Sequence, residues 1–114
     1  MHELGIASAI LDAVRDEAEK HPDSHVTKVG VRVGVLSGVE PEALSFGFSA
    51  LVQGTDLEPL MLEIESVPRR QRCPACDITY EVTEENLVCP HCASSETMLA
   101  GGEELDLAYF EVED

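Results

Sequence analysis

The chain has 114 residues, which is enough for one modest hydrophobic core and a small accessory module. Its formal net charge is −16. Proteins that bind a phosphate backbone need clustered cations, and this net charge argues against such binding, so we expect no nucleic-acid partner. No apolar stretch is long enough for a membrane span or a secretion signal, so we expect a cytoplasmic protein with no membrane partner.

The predicted elements begin with an amphipathic helix from Glu3 to about Lys20, because apolar residues recur there at intervals of three and four. A turn at Pro22 follows, and strictly alternating valines then predict a strand. Pro41 suits the first turn of a second helix, and Gly54 suits its end. The predicted core includes Leu4, Ile10, Leu11, Val14, Val29, Val31, Val33, Val35, Phe46 and Phe48.

Two more strands are predicted, at 60–67 and at 105–112. The second is apolar on both faces, which predicts a central or well-covered position in the sheet. The sequence changes character between them, where several arginines and then the cysteines appear. We therefore predict an α+β fold in which two helices cover a three-stranded sheet. That sheet domain comprises 1–67 and 103–114, and an inserted zinc-ribbon-like module comprises 68–102.

The inserted module contains two C-x-x-C pairs separated by twelve residues, namely Cys73, Cys76, Cys89 and Cys92. A reducing compartment disfavours disulfides, and this spacing favours one tetrahedral Zn(II) held by two turns that a short hairpin at 77–88 brings face to face. Four thiolates leave no open coordination position, so such an ion is structural. Reduced dithiols, a redox pair and an iron–tetrathiolate electron carrier are the alternatives. His91, inside the second pair, is a bystander, a hydrogen-bond partner of a ligand, or a replacement ligand.

The start of the sequence offers a second metal site, which the residues alone indicate more weakly. The amine of Met1, a backbone amide nitrogen and the imidazole of His2 can occupy three corners of a square plane, which suits Ni(II) or Cu(II). Polar residues near a chain end are more often simply solvated. On their own, these residues therefore make a Ni(II) or Cu(II) site a weak hypothesis.

No sequence pattern predicts an enzyme. A glycine-rich phosphate loop, a nucleophile elbow and a zinc-protease helix are all missing from the sequence. A zinc-ribbon adaptor that only displays a partner-binding surface is the alternative function, and His2 would have no role in it. The basic cluster formed by Arg69, Arg70 and Arg72 either solvates the junction before the module or serves as a docking patch.

Several motifs together resemble the HypA/HybF family of hydrogenase nickel-insertion metallochaperones. They are MHE at the start, VGVLSGVEPEAL at 33–44, and the CPAC and CPHC pairs, and the resemblance covers essentially the whole chain. It implies that His2 is the essential nickel ligand, that Glu3 assists, that Glu40 lies near the same site, and that the four cysteines hold structural zinc.

The resemblance also implies a function and partners. The protein would accept Ni(II) in concert with a HypB-type GTPase and release it to the large-subunit precursor of a [NiFe]-hydrogenase. Whether a urease is also supplied stays open. The oligomeric state stays open as well, since an inserted module can be swapped between protomers and either a monomer or a homodimer is compatible with the sequence.

Overall fold

The structure, a computed structural model, describes residues 3–83 and 86–114. Its elements are α1 (Glu3–Glu19), β1 (His25–Gly34), α2 (Pro41–Val52), β2 (Met61–Val67), β3 (Arg70–Cys73), β4 (Ile78–Glu81), β5 (Met98–Gly101) and β6 (Leu105–Glu113). They form two three-stranded sheets, ordered β2-β1-β6 and β4-β3-β5. The predicted α+β class is confirmed, with two helices and a cysteine-bearing segment inserted between β2 and β6. The limits 68–102 for that module stay a prediction.

Neither helix in the described ranges is both long enough and apolar enough to cross a membrane.

The first sheet is built around β1, which pairs with β2 in parallel and with β6 in the antiparallel direction. Its alternating Val29, Val31 and Val33 are buried, as the sequence predicts. The hydrophobic core consists of Ile6, Ala7, Ile10, Val14, Val26, Val29, Val31, Val33, Leu44, Phe48, Val52 and Leu60. The two helices and β1 supply most of these side chains, so this one layered core fixes the position of α1 against α2.

Three residues predicted to be core are exposed instead. Phe46 keeps 79% of its surface accessible because it lies two residues from Phe48, and a two-residue step turns the side chain to the opposite face of a helix. Leu4 is exposed because its neighbour across the helix pair is Gly47, which has no side chain to cover it. Val35 is exposed because β1 ends one residue earlier, at Gly34.

The prediction that the last strand is central or well covered is also wrong, because β6 forms an edge of the first sheet. Leu105 and Leu107 on its helix-facing side remain 40% and 39% exposed. On the other side the ring of Tyr109 lies across Gly30 of β1, where a methyl group would come within 2.0 Å of Tyr109 Cε1. The register shift between Gly30 and Val31 places Phe110 on the same helix-facing side as Leu107, so the strand is not apolar on both faces.

A close backbone contact joins the end of β1 to the segment before β6. The Gly34 N–H donates to the Glu104 carbonyl oxygen at 2.7 Å, and a Cβ at Gly34 would lie 2.1 Å from the Gly102 oxygen. We expect Gly34→Ala to lower the free energy of unfolding by about 1–3 kcal/mol, because hydrogen-bonded backbone must move to admit the methyl group. Urea denaturation measures this change.

The matched control is Gly5→Ala in α1, where an added Cβ would meet nothing within 4 Å. Alanine has the higher helix propensity, so this change should raise the free energy of unfolding by about 0.5 kcal/mol. If the two substitutions shifted the urea midpoint in the same direction, the close contact at Gly34 would not be the cause.

Candidate metal centre

The two cysteine pairs adopt the same kind of turn. The first pair forms the turn between β3 and β4, and there the Asp77 N–H donates to the Cys73 oxygen at 2.8 Å. In the second pair the Ala93 N–H donates to the Cys89 oxygen, also at 2.8 Å. Asp77 and Ala93 both have positive φ, 55° and 62°. Each turn thus reverses the chain directly after its second cysteine and brings the two thiols of the pair close together.

The two turns meet, and all four Sγ atoms lie within 4.8 Å of one another. The Sγ atoms of Cys73 and Cys92 are 3.6 Å apart. Tetrahedral zinc with Zn–S bonds of about 2.3 Å separates its sulfurs by about 3.8 Å. Cys73 and Cys89 are buried, whereas Cys92 is exposed. The donor set and its dimensions therefore fit a closed, tetrahedral thiolate site for a divalent ion.

The strand pairing around the site differs from the hairpin predicted at 77–88. β4 pairs with β3, which ends at the first cysteine, Cys73, and β5, which follows the second pair, forms the other neighbour of β3. A tight turn at the first pair brings its two flanking segments into antiparallel register, so the hairpin forms across that turn. Glu84 and Glu85, within the predicted hairpin, lie outside the described residues.

A buried polar network that the sequence analysis missed supports the second turn. Gln71 is 3% exposed; it donates to Thr97 Oγ1 and accepts from Arg69 Nε, both at 3.1 Å. The Leu87 carbonyl oxygen accepts from Thr97 Oγ1 at 3.1 Å and from Tyr80 OH at 2.6 Å. The network ties the chain on both sides of the second pair to β3. Its only sequence signal is a glutamine two residues before the first cysteine, on the same face of the strand.

The thiols differ in acidity. Burial raises the pKa of Cys89, but hydrogen bonds from the backbone N–H groups of Cys92 and His91 lower it, with the net result at about 7. The hydrogen bond with Cys92 and burial raise the pKa of Cys76 to about 12. The Cys76 thiol therefore does not ionise near neutral pH without a cation beside it, and a divalent ion supplies that charge.

His91 contacts the cluster through its backbone, since its N–H lies 3.4 Å from Cys89 Sγ. The His91 side chain itself is exposed.

Two arginines of the basic cluster before the first cysteine pair form ion pairs within the same small sheet. Arg70 pairs with Glu81 at 3.3 Å and Arg72 pairs with Asp77. These contacts favour a role in holding β3 against β4 over the docking patch.

The predicted nickel-site residues lie only partly within the described chain. Met1 and His2 lie outside it. Glu3 is in the first turn of α1, and its Oε2 accepts the backbone N–H of Glu40 at 3.0 Å. Glu40 is the N-cap of α2 and makes no side-chain capping hydrogen bond. The structure therefore brings Glu3 and Glu40 together at the N-terminus of α2.

The two helices also pass close to each other at Gly47. A Cβ at Gly47 would lie 3.5 Å from Leu4 Cδ1 and 3.7 Å from Leu4 Cα, so the helix backbones pass close to each other one residue from Glu3. Helix N-termini carry positive partial charge and attract carboxylates. The close crossing and this attraction together hold the Glu3 carboxylate beside the start of α2.

Comparisons with known proteins agree with this architecture. A sequence profile described as "HypA: Hydrogenase/urease nickel incorporation, metallochaperone, hypA" matches residues 1–112. "Hydrogenase maturation factor HypA" of Roseiflexus sp. (strain RS-1) is 39% identical over 115 residues, covering 100% of this chain and 94% of that protein. The protein of the same name from Chlorobaculum parvum is 38% identical over 113 residues, covering 99% of this chain and 100% of that one.

Solved structures match the whole fold. The solution structure of the Ni metallochaperone HypA from Helicobacter pylori matches with a TM-score of 0.62 and 21% identity over 97% of each chain. A second match, described as the solution structure of HypA protein, has a TM-score of 0.69 and 20% identity over 97% of this chain and 95% of that one. Structural matches at identities this low establish the fold, whereas the sequence matches establish the family. The resemblance seen in the sequence is confirmed: the chain belongs to the HypA family of hydrogenase maturation nickel metallochaperones, which are not enzymes.

Proposed function

We propose that this protein binds Ni(II) at its N-terminus and delivers it to the large subunit of a [NiFe]-hydrogenase during maturation. The observation that carries the proposal is the family match over residues 1–112, which includes His2, Glu3 and all four cysteines. The anchoring of Glu3 on the backbone of Glu40 adds support, because it holds a carboxylate directly after His2. Glu3 either ligates nickel or orients the imidazole of His2.

The two metal sites have different chemistry in this proposal. The four thiolates form a closed site that suits structural Zn(II), because zinc in structural sites binds four ligands in a tetrahedron. The amine of Met1, a backbone amide nitrogen and the His2 imidazole form an open, nitrogen-rich site of the kind that suits Ni(II). A carrier must release its cargo, and exchangeable nitrogen ligands allow that release where a thiolate cage would retain the ion.

The partners follow from the same proposal. A HypB-type GTPase would act with the protein when nickel is loaded, and the large-subunit precursor would receive the ion. Both steps would take place in the cytoplasm. Neither step requires bond-making catalysis by the protein itself, because a ligand exchange at nickel is the whole reaction.

Nickel titration of the zinc-loaded protein tests the proposal. We expect the wild type to bind about one Ni(II) per chain and His2→Ala to bind at least about tenfold more weakly, because the substitution removes the imidazole corner of the square plane. Glu3→Gln should weaken binding less, since the backbone N–H of Glu40 can still donate to the amide oxygen. Isothermal calorimetry measures all three affinities.

His25→Ala is the matched control, because His25 is an exposed histidine at the first residue of β1. It should bind nickel like the wild type, and all variants should retain the same zinc content and circular dichroism. If His2→Ala also bound nickel like the wild type, the N-terminus would not be the delivery site. The zinc-ribbon adaptor would then be the better account of this protein.

A further inference from the structure

An apolar groove of about 320 Å³ lies between α1 and β6. On the helix side it is lined by Ala9 and Ala13, and on the strand side by Leu105, Asp106 and Leu107. The buried Val31 of β1 also lines it. The alanine side chains are too short to fill the space, which leaves both leucines partly exposed on a protein that is otherwise strongly charged.

The groove runs beside an open sheet edge. Within residues 3–83 and 86–114, β6 pairs with β1 and with no other strand. An edge strand presents backbone N–H and C=O groups that an extended chain can use to add a further strand. Alternate side chains of the added strand would point towards the groove, and the remaining ones would point towards the opposite face of the sheet.

The opposite face of β6 is acidic. Asp106 and Glu111 are directed there, where they pair with Arg32 at 3.0 Å and Lys28 at 3.2 Å. Glu113 follows two residues later on the same side of the strand and is exposed. A strand added at this edge would therefore meet apolar side chains on one face and carboxylates on the other. Lysine or arginine at its outward positions would complement those carboxylates.

A second copy of this chain does not have that complementarity. Two β6 strands paired edge to edge would bring the same carboxylates against each other, in a protein whose formal net charge is −16. The β2 edge is also less suited to an alternating segment. The hollow beside it is lined by Pro41, Glu42, Ser45, Ile64 and Ser66, so polar groups would meet the inward apolar side chains there.

We infer that the α1–β6 groove and the β6 edge form a docking site for an extended segment of a partner protein in which apolar residues alternate with lysine or arginine. The inference rests on the proposed function in one respect, the role that the docked partner plays. Ile6 lines the groove and lies one helical turn from Glu3, so a docked segment would sit beside the nickel-binding end of α1. The partner would then be a protein that exchanges nickel with this one.

Nuclear magnetic resonance titration of zinc-loaded, nickel-free protein tests the inference. The probe is a capped peptide of alternating valine and lysine, as long as β6. We expect saturable shifts in the β6 amides and in the methyl groups of Ala9, Ala13 and Leu107. Peptides with serine in place of valine, or with glutamate in place of lysine, should bind at least about tenfold more weakly, because each loses one of the two complementary faces.

Two variants test the two faces separately. Ala9→Glu places a charge in the groove and should weaken binding of the valine–lysine peptide about tenfold. Ala50→Glu, on the exposed side of α2, is the matched control and should leave the affinity unchanged. Glu113→Lys should weaken binding of the valine–lysine peptide and strengthen binding of the valine–glutamate peptide. Ala9 and Glu113 are both exposed, so both variants should fold.

Equal affinities for the three peptides, shifts outside β6 and the groove, or an unchanged affinity of Ala9→Glu would overturn the inference. So would a concentration-dependent dimer that Ala9→Glu abolishes, because a second copy would then occupy the groove. The titration contains no nickel, so a protein that bound the peptide but not nickel would retain this docking site and lose the proposed function. A protein that bound nickel but not the peptide would retain the proposed function and lose this docking site.

Discussion

Cys73→Ser is expected to abolish metal binding at the four-cysteine cluster and to unfold β3, β4 and β5 together. Serine is a poor zinc ligand, and a structural zinc site contributes about 10–16 kcal/mol of apparent binding free energy that serves as folding free energy. The three strands have four residues each. In the described part of 68–102 the buried side chains are those of Gln71, Cys73 and Cys89, so little apolar surface stabilises this sheet without the ion.

Metal analysis and amide hydrogen exchange measure this effect. The variant should contain no zinc and should lose amide protection in β3–β5, while the amides of β1 and α2 keep theirs. Chelator treatment of the wild type should give the same loss, and added zinc should reverse it. Acidification should also release the ion, because protons compete with it for the thiolates.

Ser95→Ala, at an exposed position beyond the second cysteine pair, is the control and should keep both zinc and protection. A Cys73→Ser protein that retained one zinc per chain and protected strands would contradict the assignment of the cluster. A coloured wild-type protein containing iron would support the iron–tetrathiolate alternative instead.

Phe48→Ala is expected to lower the free energy of unfolding of the helix-covered sheet by about 3–5 kcal/mol, because it leaves a cavity at the centre of the core. Phe48 is 1% exposed and contributes to the core together with both helices and β1. Phe46→Ala, two residues earlier in α2, should change the free energy by no more than about 0.5 kcal/mol, since that ring is 79% exposed.

The two phenylalanine variants control each other, because they remove the same group from the same helix. Urea denaturation, followed by circular dichroism and by the amide signals of β1, measures both. A loss for Phe46→Ala as large as that for Phe48→Ala would contradict the exposure of Phe46 and would indicate that another surface covers it in solution.

Those elements that depend on local geometry could be predicted from the sequence. Both helices and the valine strand follow from hydrophobic period, and the sulfur cluster follows from the C-x-x-C spacing, since each turn fixes two sulfurs at short range. Hydrophobicity alone predicts Phe46 to be core, but its angular position opposite Phe48 on the helix leaves it exposed. Leu4 could not be assigned, because its exposure depends on a glycine in the other helix.

The remaining features depend on which segments meet in three dimensions. The position of β6 at the sheet edge follows from the order β2-β1-β6, which loop lengths and hydrophobic patterns do not specify. The groove likewise depends on Ala9 and Ala13 facing that edge, although alanines in a helix sequence are ordinary helix formers. The link from Glu3 to the backbone of Glu40 is a contact between two helices, and only the family resemblance suggested it.

The order of elements along the chain has a consequence for synthesis on the ribosome. β1 emerges before the cysteine-bearing segment and its antiparallel neighbour β6 emerges after it, so one edge of a valine-rich strand stays unpaired while that segment is made. An unpaired edge can recruit other nascent chains. Arg70 pairs with Gly101, so the folded small sheet brings the two ends of the inserted segment together and reduces the loop-closure entropy opposing the β1–β6 contact. Prompt metal capture by the emerging cysteines would thus shorten the aggregation-prone stage of translation.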